Sequence, residues 1–285
     1  LCADLTESTR SLWFAEKFPE RFVELGVAEQ NMATVAAGMA NYGKIPFISS
    51  YAAFSPGRNN EQIRTTIAIN NVSVKIGGAH AGISVGPDGA THQALEDIAL
   101  MRVMPRMTVL VSCDAVEAQK ATVAAAFYPG PVYIRFGREK SPVFTTKDTP
   151  FQIGKAEIFR EGKDVAIIGC GMLLHNALVA AEELSKEGIE VMVINSHTVK
   201  PIDSETIIEA AKDTGAVVTV EEHQVNGGLG SAVAEVLAKN HPVPQEFIGV
   251  QDRFGESGEP WELVEKFGMG VKDIKEAVKK VIKRK

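Results

Sequence analysis

Val165-Ala166-Ile167-Ile168 places four apolar residues in a row with no polar alternation. A strand with one wet face alternates apolar and polar residues. A strand covered on both faces, as in a parallel sheet, does not. Outward from this run, short apolar and β-branched stretches recur along the whole chain. They predict strands at Ile45–Ser49, Val72–Gly77, Thr108–Ser112 and Pro131–Phe136, then at Val165–Gly169, Glu190–Asn195, Val217–Glu221 and Phe247–Val250. Amphipathic stretches between them predict helices at Ala28–Tyr42, Asn60–Ile69, Ala94–Val103, Ala115–Phe127, Leu174–Lys186, Ser204–Lys212, Ser231–Lys239, Pro260–Phe267 and Lys272–Lys283. Asp114 followed by Glu117 reads as an N-cap with its return bond, and Gly43 and Gly188 stand where helices stop. Alternation of this kind defines two α/β units, each a parallel sheet flanked by helices. The stretch Glu139–Gln152 has two prolines, three threonines and no period, so it reads as a linker. A boundary near 150 gives units 1–150 and 151–285, and two domains is also what 285 residues favour.

Composition narrows the functional classes. An apolar share of 45% and a charged share of 23% are those of an ordinary globular protein. A net charge of −6 argues against a nucleic-acid partner. No run of 18 apolar residues and no charged-then-apolar leader occur, so no membrane span is expected and the chain reads as cytoplasmic. The lysines and arginine that end the last helix complement its dipole. Three cysteines, Cys2, Cys113 and Cys170, include no C-x-x-C pair, so they read as small buried hydrophobes. The chain opens at Leu1 without a methionine, which leaves room for missing upstream residues.

The chemistry concentrates in His80-Ala-Gly-Ile-Ser-Val-Gly-Pro-Asp88-Gly-Ala-Thr91-His92-Gln93. The stretch has too many glycines for a helix. Two imidazoles that titrate near neutral pH, beside one carboxylate, suit a polar hydroxylated substrate. No third ligand stands in register, so no metal site is expected. Glu29, in Gly26-Val27-Ala28-Glu29-Gln30-Asn31-Met32, is a first-turn acid that either favours the helix dipole or bonds a ring nitrogen. Tyr51 and Phe54, among small residues in Ser49–Ser55, are either core or the faces against which a flat ring lies. Arg138 follows a predicted strand, where ligand crevices of parallel α/β sheets form, and could grip a phosphate. Gly227-Gly228-Leu229-Gly230-Ser231 resembles a phosphate cradle but lacks the lysine and the spacing, so a structural turn is favoured.

Taken together, these motifs resemble transketolase: its pyrimidine-binding domain followed by its C-terminal domain. The resemblance runs from Ala3-Asp4-Leu5-Thr6-Glu7-Ser8 through the Glu29 motif, the aromatic motif and Asp88-Gly-x-Thr91-His92-Gln93 to Arg138. It continues through Glu221-Glu222-His223 and the Gly227 loop. It implies a thiamine diphosphate enzyme of pentose phosphate chemistry that transfers a two-carbon ketol unit between sugar phosphates. Glu29 would bond the cofactor's aminopyrimidine and promote its imino tautomer, and Tyr51 and Phe54 would hold that ring. His80 and His92 would bond the donor sugar and assist proton transfer, Asp88 would select a hydroxyl-bearing donor, and Ser8 and Arg138 would bind its phosphate. Arg64 is left as structural or peripheral.

One departure from the family is as informative as the matches. Transketolases hold magnesium through a Gly-Asp-Gly motif in a diphosphate-binding domain, and no Gly-Asp-Gly occurs here. Single-chain members are also about twice this length. The chain therefore resembles the smaller subunit of a split transketolase. Its Mg2+ ligands would lie on a large partner subunit, and two copies of each chain would make a heterotetramer. His80-Ala81 and Asn31 disfavour deoxyxylulose phosphate synthase, and the Thr-His-Gln signature disfavours a 2-oxoacid dehydrogenase beta subunit. A non-catalytic regulatory module, or a fragment of a fused enzyme, are the remaining alternatives.

Overall fold

The computed structural model describes residues 1–285. In the first half, α1 (Leu12–Lys17) and α2 (Glu29–Asn41) precede β1 (Phe47–Tyr51), followed by α3 (Asn60–Gln62). Then come β2 (Lys75–Ala79), α4 (Asp97–Arg102), β3 (Thr108–Val111), α5 (Ala115–Phe127) and β4 (Val132–Arg135). The second half holds β5 (Glu157–Arg160), β6 (Val165–Gly169), α6 (Leu174–Ser185), β7 (Val191–Asn195), β8 (Thr198–Lys200) and α7 (Ser204–Thr214). It ends with β9 (Val217–Gln224), α8 (Leu229–Asn240), β10 (Gln245–Val250), α9 (Pro260–Lys266) and α10 (Val271–Ile282).

Two five-stranded sheets result, ordered β1-β2-β4-β3-β8 and β10-β9-β6-β7-β5. In each, four strands are parallel and one edge strand is antiparallel. The uninterrupted apolar runs are the buried ones: every residue of β2, β3, β4, β6 and β7 is buried. The two antiparallel edges lie outside the predicted strands. β8 is only three residues long, and β5 is half-exposed with no apolar run to mark it. Although β8 belongs to the second half of the chain, it pairs with β3 of the first sheet. A single core follows the same path, joining Met101, Met107 and Val109 to Val199, Ile207 and Leu229.

Local chemistry explains the remaining departures. The helix predicted over 60–69 begins as α3 and widens into a π-helical stretch, Ile63–Ala68. There the Thr65 and Thr66 hydroxyls donate back to the carbonyls of Glu61 and Gln62, a habit that disturbs the regular ladder. Asp114 caps α5 by accepting from the Glu117 amide at 2.9 Å, as expected. Glu117 returns its bond to the Cys113 amide instead of that of Asp114, and also accepts from Asn195. Residues 139–152 form no helix or strand. They are fastened to α5, because Asp114 accepts from the Phe144 and Thr145 amides and Lys120 donates to the Thr146 and Thr149 carbonyls. All three cysteines are buried.

His197, between β7 and β8, is fully buried and stacks on Phe151 at 4.3 Å. Its Nδ1 faces the Thr198 hydroxyl and its Nε2 has no partner. Burial therefore lowers its pKa from 6.5 to about 4. The unfolded chain binds this proton more readily than the folded one, so stability is lost as pH falls from 6.5 towards 4. His197→Phe keeps the stacked ring and removes the titration. Between pH 6.5 and 4.5, urea titrations of the variant are expected to lose on the order of 2 kcal/mol less stability than wild type. Equal losses would remove His197 from the acid transition.

Candidate active site

Glu29 opens α2 with its side chain 1% exposed. Its carboxylate accepts from Arg58 Nη1 at 2.8 Å, and its backbone carbonyl accepts from Asn59 Nδ2 at 3.1 Å. Asn59 also donates to the Ser55 hydroxyl, so one amide ties the start of α2 to the turn that follows β1. The Arg58 guanidinium lies over the Phe54 ring, 4.7 Å from its centroid.

Tyr51 ends β1 and stacks on Phe54, with centroids 5.9 Å apart and planes 18° from parallel. It also stacks on His80, at 4.3 Å. His92 meets both aromatics edge-on, at 6.1 Å from Tyr51 and 5.4 Å from Phe54. Four residues predicted from two separate motifs thus form one aromatic cluster. Two parallel neighbours, β1 and β2, bring them together, since Tyr51 pairs with Ala79 and His80 is the next residue.

His80 has φ +52, a left-handed conformation uncommon outside glycine but one that histidine adopts more readily than most residues. Burial lowers its pKa, the Arg138 charge adds to that, and Asp88 and the Ser8 backbone oppose it. Its ring is thus biased towards the neutral form, and its Nδ1 is buried without a partner. Beyond it the chain does make helical turns, contrary to the glycine-based expectation. Residues Ile83–Asp88 form two 3-10 turns, broken at Gly86, whose φ is +76. Asp88, at their end, pairs with Arg138 at 3.3 Å. Arg138 also donates to the Val85 carbonyl at 2.7 Å, so its fork is only partly free. Ser8 is exposed and its backbone sits beside the His80 ring. All eight predicted site residues therefore connect through two groups, Glu29 with the aromatics and His80 with Asp88, Arg138 and Ser8. Arg58, which bonds Glu29, is not among the residues that the sequence assigned to the site.

Behind the loop lies a buried polar network. Asp97 Oδ2 accepts from Arg135 Nε at 2.8 Å and from the Tyr133 hydroxyl at 2.6 Å. Burial pushes the Asp97 carboxyl up, but the charge and hydrogen bond of Arg135, the charge of His223 and the Tyr133 hydroxyl together hold it below its usual range. Tyr133 reaches Asp97 only because position 78 is glycine, where a Cβ would lie 2.2 Å from the phenol oxygen. The Gly227 loop is a structural turn, as expected. The amides of Leu229 and Gly230 at the start of α8 are taken by the Glu221 carboxylate, where a phosphate would otherwise sit. No cluster of three or more His, Cys, Asp or Glu side chains is arranged to hold a metal. A groove of about 740 Å3 elsewhere on the chain is lined by none of the predicted site residues.

Two α/β units with parallel sheets thus carry a buried glutamate beside an aromatic and histidine cluster. Comparison with known proteins gives the family. The model of the transketolase pyrimidine binding domain matches residues 1–143, and that of the transketolase C-terminal domain matches residues 154–274. A protein named 6-deoxy-6-sulfo-D-fructose transketolase subunit SqwH, from Clostridium sp. (strain MSTE9), is 43% identical over all of this chain and 88% of its own length. A protein of Phocaeicola vulgatus, named as a subunit of apulose-4-phosphate transketolase, is 38% identical over 95% of this chain and 87% of its own. A solved structure, described as a split gene transketolase in an inactive beta4 tetramer, is 48% identical and superposes with a TM-score of 0.93, covering 99% of this chain and 91% of its own. The chain belongs to the transketolase family, and within it corresponds to the subunit type of split transketolases. No helix is long and apolar enough to cross a membrane.

Removing one partner of a buried ion pair leaves the other charge uncompensated. Asp97→Ala is therefore expected to cost about 3–5 kcal/mol in urea denaturation. A loss below about 1 kcal/mol, within the range of ordinary surface pairs, would show that the pair is not the anchor described.

Proposed function

We propose that this chain is the pyrimidine-binding subunit of a split transketolase. With a diphosphate-binding large subunit it moves a two-carbon ketol unit from a ketose phosphate to an aldose phosphate. The observation that carries this reading is the buried Glu29 carboxylate set against the Tyr51–Phe54–His80 stack.

The residues present fit one end of thiamine diphosphate and not the other. A flat nitrogen heterocycle finds a buried carboxylate and aromatic faces; a diphosphate with its Mg2+ finds no metal cluster. The cofactor's ring would be held by Glu29, Tyr51 and Phe54, and its charged end, with Mg2+, by the partner. When bound, the cofactor supplies the nucleophilic carbon that takes up the two-carbon unit.

The chain's own residues do the rest. Glu29 holds a proton at the ring nitrogen. His80, biased towards its neutral form, accepts a hydrogen bond or proton from a donor hydroxyl, with His92 beside it. Asp88 accepts from a second hydroxyl and so selects hydroxylated donors. Ser8 and Arg138 grip the anionic end of the sugar; a guanidinium has five donors, and one is committed to Val85. The names of the two relatives above, one a sulfo sugar and one a sugar phosphate, support an anionic grip, and sugar phosphates of the pentose phosphate pathway are the substrates proposed here. The relative described as an inactive assembly of four beta chains supports both self-association and the need for a large subunit. A heterotetramer with two copies of each subunit is the assembly proposed.

The test is ketol transfer and cofactor titration with the two subunits apart and mixed. Tight thiamine diphosphate binding and turnover are expected only in the mixture; full activity of this chain alone would refute the reading. Glu29→Ala in the complex is expected to lower kcat by about 10²–10⁴-fold without unfolding it, and near-normal turnover would contradict the role. His80→Ala should impair turnover more than assembly; unchanged steady-state kinetics would take His80 out of the site. Arg138→Ala should raise KM for phosphorylated sugars about tenfold or more, because a charge-assisted bond is lost in ground and transition states alike. An equal loss with unphosphorylated sugars would refute the anion grip.

A further inference from the structure

Glu222, on β9 of the second sheet, is 4% exposed, and no role in the proposed chemistry falls to it. Its Oε1 accepts from the Ser84 amide at 2.6 Å, across 138 residues of chain. Ser84 lies in the first of the two 3-10 turns between His80 and His92. The contact is built in from both sides. At Gly82, where φ is +95, a Cβ would stand 2.4 Å from that same carboxylate oxygen. The backbone carbonyl of Glu222 accepts from Arg135 Nη2 at 2.8 Å, so the buried Asp97–Arg135 pair fixes the residue that fixes the loop.

What Ser84 controls follows along the chain. The carbonyl of the next residue, Val85, holds Arg138, and Arg138 holds Asp88. The His92 amide then donates to the Gly89 carbonyl in the following turn. A shift at Ser84 therefore reaches Arg138, Asp88 and His92 together. Glu29 lies on a different element, α2, and shares none of these bonds.

We propose that Glu222 is a positioning residue: a carboxylate from the second domain that pins the Ser84 amide and thereby sets Arg138, Asp88 and His92 against the donor sugar. This rests on the reading of the His80–His92 loop as the sugar site. It gives the C-terminal domain, which holds none of the proposed substrate contacts, a direct part in substrate binding.

Two conservative variants test it. Glu222→Gln keeps an acceptor oxygen at the same reach; Glu222→Asp keeps the charge but withdraws the oxygen by one methylene. Hydrogen exchange on this chain alone is read first. The Ser84 amide is expected to be protected in wild type and in Glu222→Gln, and to exchange at least about tenfold faster in Glu222→Asp. In the complex with the large subunit, Glu222→Asp is expected to raise KM for the ketose phosphate about tenfold while thiamine diphosphate affinity stays within about twofold. Glu222→Gln is expected to stay near wild type in both. The proposal is overturned if Glu222→Asp leaves Ser84 protected or KM unchanged. It is overturned too if both variants are equally impaired, or if cofactor affinity falls in step with KM, since each marks a general structural role. A wild-type complex with no ketol transfer would sink the functional reading, while the exchange result would still judge the Glu222–Ser84 bond.

Discussion

Arg135 is the constraint on which the rest of the molecule depends. Its guanidinium donates to Asp97 at the start of α4, to the Ala94 carbonyl just before it, and to the Glu222 carbonyl on β9. Taking an ion pair out of water costs several kcal/mol per ion, recovered only where geometry is good and the remaining donors find acceptors. Here Nε and Nη2 find acceptors in two separate stretches of chain, residues 94–97 and β9 of the second sheet, while Arg135 itself lies on β4 of the first; only Asp97 Oδ1 is left without a partner. Apolar side chains of similar volume often replace a buried ion pair with no loss of stability. They would not fix three backbone segments in direction and register, which a guanidinium does through the fixed geometry of its donors.

That fixation is what would let a glycine-rich loop serve as the proposed sugar site. Between His80 and Gln93 the chain has little regular structure of its own, and a loop left to itself samples many conformations. Here it is restrained from the second domain. Gln93 Nε2 donates to the carbonyls of Ile83, Gly86 and Glu256, and Gly86 lies against Pro260 of α9. The second half of the chain supplies much of the loop's rigidity. The strand β8, which leaves the second half to join the first sheet, makes the two halves one body in the same way.

The legibility of the sequence follows from the range of the interactions involved. The central strands are readable because burial on both faces removes polar residues locally, as in Val165–Ile168 and Thr108–Val111. β5 and β8 are not, since an edge strand is defined by its neighbour and carries little pattern of its own. Glu29, Tyr51, Phe54, His80 and His92 can be named from motifs, yet their stacking cannot, because it depends on the register of β1 against β2. Glu117 shows the same limit at short range. The capping pattern identifies Asp114, but a buried Asn195 and the Cys113 amide from outside the pattern claim the Glu117 carboxylate.

Arg58 and Glu222 mark the deeper gap, since each matters through a partner far away in sequence. For Arg58 the physical need can be stated from burial alone. The Glu29 carboxylate is almost fully buried, and an unpaired charge there is costly. Arg58 meets that need from the solvent side: its side chain is 47% exposed, its guanidinium bonds Glu29, and the Phe54 ring supports it. Glu222 faces the opposite situation. It is enclosed, so burial raises its carboxyl pKa, with the charge of Arg135 opposing that rise. One carboxylate is balanced by a side chain that water can reach, the other by the Ser84 amide and the nearby charge of a buried cation that water cannot. The first arrangement is open to exchange when another cationic or N–H donor arrives; the second is not. On the proposed reading, in which two polypeptides complete the site, both are needed: an exchangeable contact where the halves would meet and a permanent one behind it.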